Sequence, residues 1–122
     1  MNSTPVWLCP DLIFDGTLRE GMALCADAGL VADLRPASDL PPDVLRQRVS
    51  GLVTPGFLDL QVNGGGDVLL NTDPTAEAMR QIAAAHRRFG TVGILPTVIT
   101  DAPDILARAV AAALAAKGWG LF

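Results

Sequence analysis

From residue 54 onward the sequence alternates strand-like and helix-like stretches with short connections, and this order constrains the fold more than any other feature. PGFLDLQVN (55–63) reads as a strand. Asp73-Pro74 then opens a helix, with Asp73 as N-cap and Pro74 at the first helical position. Met79, Ile82, Ala83, His86 and Phe89 recur at helical spacing, and Gly90 reads as the C-cap. TVGILPTVIT (91–100), rich in β-branched residues, reads as a second strand. A second helix is expected from about Ala102 to Lys117, capped by Asp101, with Ile105, Leu106, Ala109, Val110, Ala113 and Leu114 as a broad apolar stripe. Gly118 ends that helix, and WGLF (119–122) reads as the start of a third strand. A β-α-β-α order implies parallel strands with helices packed outside them. A parallel sheet is covered on both faces. Two strands with two helices leave apolar surface open, so the chain reads as the first part of something longer.

Before residue 54 the pattern is different. VWLC (6–9), LIF (12–14), MALCA (22–26) and LVADL (30–34) are short apolar runs, with turn signals at Asp15-Gly16 and Asp27-Ala28-Gly29. They predict a small antiparallel sheet. RPASDLPPD (35–43) reads as a surface loop, and VLRQRVSGLV (44–53) as a short helical turn or a strand leading into the next unit. The expected division is therefore a β-domain segment at 1–53 and two β/α units at 54–122.

Half of the 122 residues are apolar and 18% are charged, which argues against a disordered chain. A net charge of −4, with no basic run longer than Arg87-Arg88, argues against a nucleic-acid surface. The N-terminus lacks the charged start and apolar core of a signal peptide. The Ala-rich run 105–116 is too short for a membrane span and is interrupted by Arg108. A cytoplasmic protein is the expectation, with Cys9 and Cys25 as free thiols.

The strand 55–63 sets a problem. Phe57, Asp59, Gln61 and Asn63 share one face, and Leu58, Leu60 and Val62 the other. The apolar face is expected to pack on the helices and the mixed face to look inward, where a (β/α)₈ barrel has its lumen. Polar groups concentrate toward the C-terminal end of the strand, the end at which barrel active sites lie. Buried polar groups must be hydrogen-bonded. The column therefore reads either as a bonded site, or as Asp59 serving local backbone donors with Gln61 and Asn63 frayed into water.

PGFLDLQVNGGGD (55–67) resembles the first barrel strand of the amidohydrolase superfamily, whose usual form is P-G-F-I-D-x-H-x-H. With the loop Gly64-Gly65-Gly66 and GTVGILPTVIT (90–100), it is similar to the N-acetylglucosamine-6-phosphate deacetylase family in particular. LIFDG (12–16) followed by GLVTPGF (51–57) resembles the way this superfamily leaves its small β-sandwich domain for the barrel. The resemblance implies the start of a (β/α)₈ barrel preceded by part of that β-domain. It also implies metal-assisted hydrolysis of N-acetylglucosamine 6-phosphate to glucosamine 6-phosphate and acetate, in a cytoplasmic homo-oligomer that binds an amino-sugar phosphate, with no membrane or nucleic-acid partner.

The sequence departs from the pattern where the metal-binding histidines stand: these positions are Gln61 and Asn63. Neutral imidazole binds zinc well and amide oxygen poorly. The resemblance therefore assigns Gln61 and Asn63 to the substrate mouth, Asp59 to their support, and no metal ligand to this chain. The catalytic residues, and the ligands of the divalent ion (zinc or iron), are expected beyond residue 122, and the isolated chain is expected to be inactive.

His86, the only histidine, lies on the stripe of the first helix and reads as a hydrogen-bonded core or interface residue. Gly64-Gly65-Gly66 reads as a flexible turn in preference to a phosphate cradle, since it lacks the P-loop lysine. Pro96 suggests a bulge or strand end, and Thr97 beyond it a position near the lumen. Two other readings stand beside the deacetylase: a cyclic-amide hydrolase of the same superfamily, and a non-catalytic assembly module.

Overall fold

The structure, a computed structural model, describes residues 4–117. Gly118 and the expected strand at 119–122 lie outside the described residues. The chain divides at Pro55/Gly56 into two compact units.

The first unit is a five-stranded sheet of β1 (Val6–Phe14), β2 (Leu18–Glu20), β3 (Met22–Asp27), β4 (Leu30–Pro36) and β5 (Arg46–Val53). β1 is one long strand where two short ones are expected. Its first half pairs antiparallel with β3 and its second half with β2, and β4 extends the sheet beside β3. Pro10 does not break the strand because the β1–β5 ladder shifts register between Pro10 and Leu12. Asp11 closes that irregularity: its carboxylate accepts from Gly51 N at 2.8 Å and from Arg48 Nη2 at 2.6 Å. β5 runs parallel to β1, so the sheet is mixed and not purely antiparallel. Local turn signals predict hairpins, and they carry no information about a pairing that spans some 40 residues of chain.

This sheet's core is Trp7, Ala23, Cys25 and Leu40, flanked by Cys9, Ala37 and Val44. Alternation on β3 brings Ala23 and Cys25 inward together. Cys9 and Cys25 are free thiols, half-buried and buried respectively. The Arg35 guanidinium lies 5.3 Å from the centroid of the Trp7 ring, a cation–π contact that shields the indole's outer side.

The second unit contains β6 (Phe57–Val62), the short ribbon β7 (Gly64–Gly65) and β8 (Val68–Leu69), α1 (Ala76–Arg87), β9 (Thr91–Pro96) and α2 (Pro103–Ala116). β6 and β9 pair in parallel, joined through α1. α1 begins two residues later than Asp73-Pro74 suggests. Thr75 is the N-cap, its hydroxyl accepting from Ala78 N at 3.1 Å. Asp73 belongs to the preceding turn, where its N–H donates to Leu69 O at 3.0 Å. Glu77 in the first turn and His86 and Arg87 in the last complement the helix dipole. Gly90 takes a φ of +91° and donates to Arg87 O, reversing the chain into β9.

Met79, Ile82 and Ala83 of α1 form one core with Val62, Leu70, Ile94, Ala112 and Ala116. Phe89, expected on the same stripe, is exposed. α2 also departs from its expected stripe. It packs through Ala109, Ala112 and Ala116, while Val110 and Leu114 are 61% and 70% exposed. Ala102 is its N-cap without a side-chain bond, and Pro103 supplies the fixed φ of its first turn. Among the described residues no helix is long and apolar enough to cross a membrane.

The packing separates the two kinds of apolar residue by experiment. Ile82 is 2% exposed, so Ile82→Ala is expected to cost about 2–5 kcal/mol in urea unfolding of the chain. Leu114→Ala is expected to stay within about 0.5 kcal/mol, and equal costs would contradict this packing.

Candidate functional site

The site is built on a break in strand alternation. Asp59 pairs with Ile94, and the next recorded pair is Val62 with Pro96, so β6 carries one residue more than β9 over this interval. The Asp59 carboxylate stabilises the extra residue by accepting from Gln61 N at 3.2 Å. Two residues of opposite parity, Asp59 and Val62, therefore both turn toward α1. Asp59 Oδ2 lies 3.9 Å from His86 Nδ1, and Val62 is 3% exposed in the helix-side core. Leu58 and Leu60 are each 70% exposed. This corrects the expectation that the leucine face packs on the helices while Asp59 looks inward. A period of two assumes an unbroken ladder.

Beyond the break, Gln61 is exposed and Asn63 is half-buried. Asn63 Nδ2 donates to Thr97 O at 3.0 Å, and Thr97 N donates to Val62 O at 2.8 Å. β9 ends at Pro96, and the Thr97 hydroxyl turns back to Leu95 O at 3.1 Å. The two strand ends are thus tied together at the level of Asn63.

The glycine loop is more ordered than a flexible turn. Gly64–Gly65 pairs antiparallel with Val68–Leu69, and the reversal uses Gly66 at φ +61° and Asp67 at +65°. α1 holds this ribbon by two side chains: Gln81 Nε2 donates to Gly66 O at 2.8 Å, and His86 Nε2 donates to Gly64 O at 3.0 Å. His86 is therefore a half-buried bridging residue between helix, ribbon and Asp59. A Cβ on Gly64 would lie 2.4 Å from Val68 O, and one on Gly65 would lie 2.9 Å from His86 Nε2.

One group escaped the sequence reading. Asn71 joins the connection after β6 to the connection after β9: its amide bonds both backbone groups of Ile99 and the Asp101 carboxylate. Asp101 is thus not the cap of α2. Its Oδ1 accepts from Ala102 N at 2.8 Å, and the hydrogen bond from Asn71, followed by that from Ala102, holds its pKa below the ordinary 3.8. An asparagine in Asn71-Thr72-Asp73-Pro74 looks like ordinary turn chemistry, so no local signal distinguishes it.

Among the described residues, no group of three or more His, Cys, Asp and Glu side chains converges on a point that could hold a metal ion. Zinc sites take three or four protein ligands. The described residues alone therefore do not complete a site for the divalent ion that the resemblance implies.

Two substitutions test this geometry. Gly64→Ala is expected to cost about 1–3 kcal/mol, because the new methyl meets a backbone oxygen. In Asn71→Ala, NMR titration is expected to show the Asp101 carboxyl returning toward 3.8. The sign follows from linkage. A carboxyl depressed on folding adds stability that is present above its unfolded pKa and lost as pH falls through the folded one. An unmoved Asp101 would contradict the contact.

No protein-family model matches the chain. The N-acetylgalactosamine-6-phosphate deacetylase of Shewanella sp. (strain ANA-3) is 38% identical over 101 residues, 80% of this chain and 26% of that protein. The N-acetylglucosamine-6-phosphate deacetylase of Haemophilus influenzae is 40% identical over 52 residues, 43% of this chain and 13% of that protein. Among solved structures, the N-acetylglucosamine-6-phosphate deacetylase of Pasteurella multocida superposes with a TM-score of 0.83 at 26% identity, over 93% of this chain and 31% of its own. A Mycobacterium smegmatis deacetylase variant in complex with N-acetyl-D-glucosamine-6-phosphate shares the fold, with a TM-score of 0.82 at 24% identity. By sequence and by fold, the chain is therefore similar to N-acetylglucosamine- and N-acetylgalactosamine-6-phosphate deacetylases, and it spans 26% and 31% of the lengths of the Shewanella and Pasteurella proteins.

Proposed function

We propose that this chain is part of a hydrolase that removes the acetyl group of N-acetylglucosamine 6-phosphate, leaving glucosamine 6-phosphate and acetate. The observation that carries the reading is the 26% identity and TM-score of 0.83 to the Pasteurella enzyme over nearly the whole chain. In this reading residues 54–122 are the first two β/α units of a (β/α)₈ barrel, and residues 1–53 are part of a small β-sandwich domain. The parallel β6–β9 pair, with a helix following each strand, supports it. So does the uncovered apolar surface: a groove of about 160 Å³ along Leu58, Leu60 and Leu95, and one of about 340 Å³ along Leu95, Val110 and Leu114. Further barrel strands and helices would cover both.

Gln61 and Asn63 then line the substrate mouth at the C-terminal end of the first strand, where barrel sites lie. Asp59 fixes their backbone through the Gln61 N–H. The catalytic groups and the ligands of the divalent ion belong to other residues of the whole enzyme. Alone, the chain is expected to lack activity and to self-associate through its open faces. A second reading replaces the substrate by its galactosamine epimer. It is favoured by the Shewanella relative, whose match extends over 80% of the chain.

The test is a chimera in which this chain replaces the matching segment of the Shewanella enzyme. Acetate release is expected from an N-acetylhexosamine 6-phosphate, and comparing the two epimers decides the substrate. A chimera that melts cooperatively yet releases no acetate from either would overturn the proposal and favour a non-catalytic module.

A further inference from the structure

Two connections run side by side beyond the ends of β6 and β9: one leads through Asn71 to α1, the other through Ile99 to α2. Asn71 Oδ1 accepts from Ile99 N at 2.9 Å, and Asn71 Nδ2 donates to Ile99 O at 2.9 Å. The side-chain amide thus offers Ile99 the donor and acceptor that a neighbouring strand would. The same Nδ2 donates to Asp101 Oδ2 at 2.9 Å, while Asp101 Oδ1 is held by Ala102 N at the start of α2. A capping residue serves its own turn, whereas Asn71 serves a segment 28 residues away. Asn63 adds a parallel tie to Thr97 O.

We propose that Asn71 is a positioning residue that locks the β6–α1 connection to the β9–α2 connection, so that Gln61, Asn63 and the Thr97–Asp101 segment hold one geometry. The functional side of this rests on the barrel-mouth reading above. Substrate-positioning groups must be held to a fraction of an ångström, and loops achieve that only when another element restrains them. Asparagine is the residue the geometry requires. Aspartate has the shape without the donor, and alanine has neither. The polarity is equally specific: Nδ2 serves both the Asp101 carboxylate and the Ile99 carbonyl, while Oδ1 accepts from Ile99 N.

The test is a donor–acceptor exchange, read by amide hydrogen exchange on the full chain and on the chimera. Asn71→Asp keeps the acceptor for Ile99 N but sets two carboxylates against each other. Protection factors at Ile99 and Ala102, which divide out the intrinsic pH dependence of amide exchange, are expected to fall at neutral pH by about tenfold or more, and to rise again as pH falls and the pair takes up a proton. In the double variant Asn71→Asp, Asp101→Asn the donor moves to the other side of the contact. Protection is expected to return at neutral pH and lose its pH dependence, and acetate release by the chimera is expected to follow the same order. Should Asn71→Asp fail to fold, recovery of folding in the double variant supports the lock and failure to recover overturns it. Equal loosening of both variants throughout α1 and β6 would also overturn it, by marking a general packing role. A parent chimera without activity would sink the deacetylase reading and leave the exchange result intact. An active chimera whose Asn71→Asp form exchanges like the parent would overturn the lock alone.

Discussion

The extra residue that β6 carries between Asp59 and Val62 sets which of its side chains reach α1. Without it, Asp59 and Val62 would lie on opposite faces of the strand. With it, both reach the helix side, one to His86 and one to the core. The next residue, Asn63, is set to reach Thr97 and tie the two strand ends. The cost of an interrupted ladder is offset locally, because the Asp59 carboxylate accepts the Gln61 N–H that the irregularity leaves available. A bulge at the edge of a site re-aims side chains without changing the fold around them.

From that point the backbone is held by side chains more than by sheet. Gln81 and His86 anchor the glycine ribbon from α1, and Asn71 and Asn63 anchor the segment after β9. The glycines are needed because these approaches are close. At Gly64 and Gly65 a methyl group would collide with Val68 O and with the His86 ring. A region with few regular ladders is thereby given fixed geometry, which is what a binding surface requires.

The order of elements in the second unit was legible because helical and strand periods are local properties. α1, β9 and α2 fall where the spacing of Met79, Ile82, Ala83 and the β-branched run of 91–96 puts them. Three things were not legible, each for a physical reason. The parallel β1–β5 pairing depends on contacts between distant segments. The faces of β6 depend on register shifts in its pairing with β9 that strict alternation does not foresee. Asn71 acts across space on Ile99, while its own neighbours look like any turn. The cap of α1 shows the finer limit: Asp73 and Thr75 both suit an N-cap, and only the hydrogen bond to Ala78 selects Thr75. Gln61 and Asn63 stood out as polar groups on an apolar strand, and the resemblance, whose pattern has imidazoles there, implied their role.

In the proposed function, the leucine face of β6 is an internal surface of a larger barrel, open in this chain. Leu58, 70% exposed, reports on it directly. With Cys9 and Cys25 replaced by serine and alanine, Leu58→Cys would be alkylated by a water-soluble thiol reagent in the isolated chain and in the chimera with the Shewanella enzyme. Fast labelling is expected in the chain, diluted until it runs as a monomer, and labelling slowed by about tenfold or more in the folded chimera, where the face is covered. Equal, fast labelling in both would contradict it.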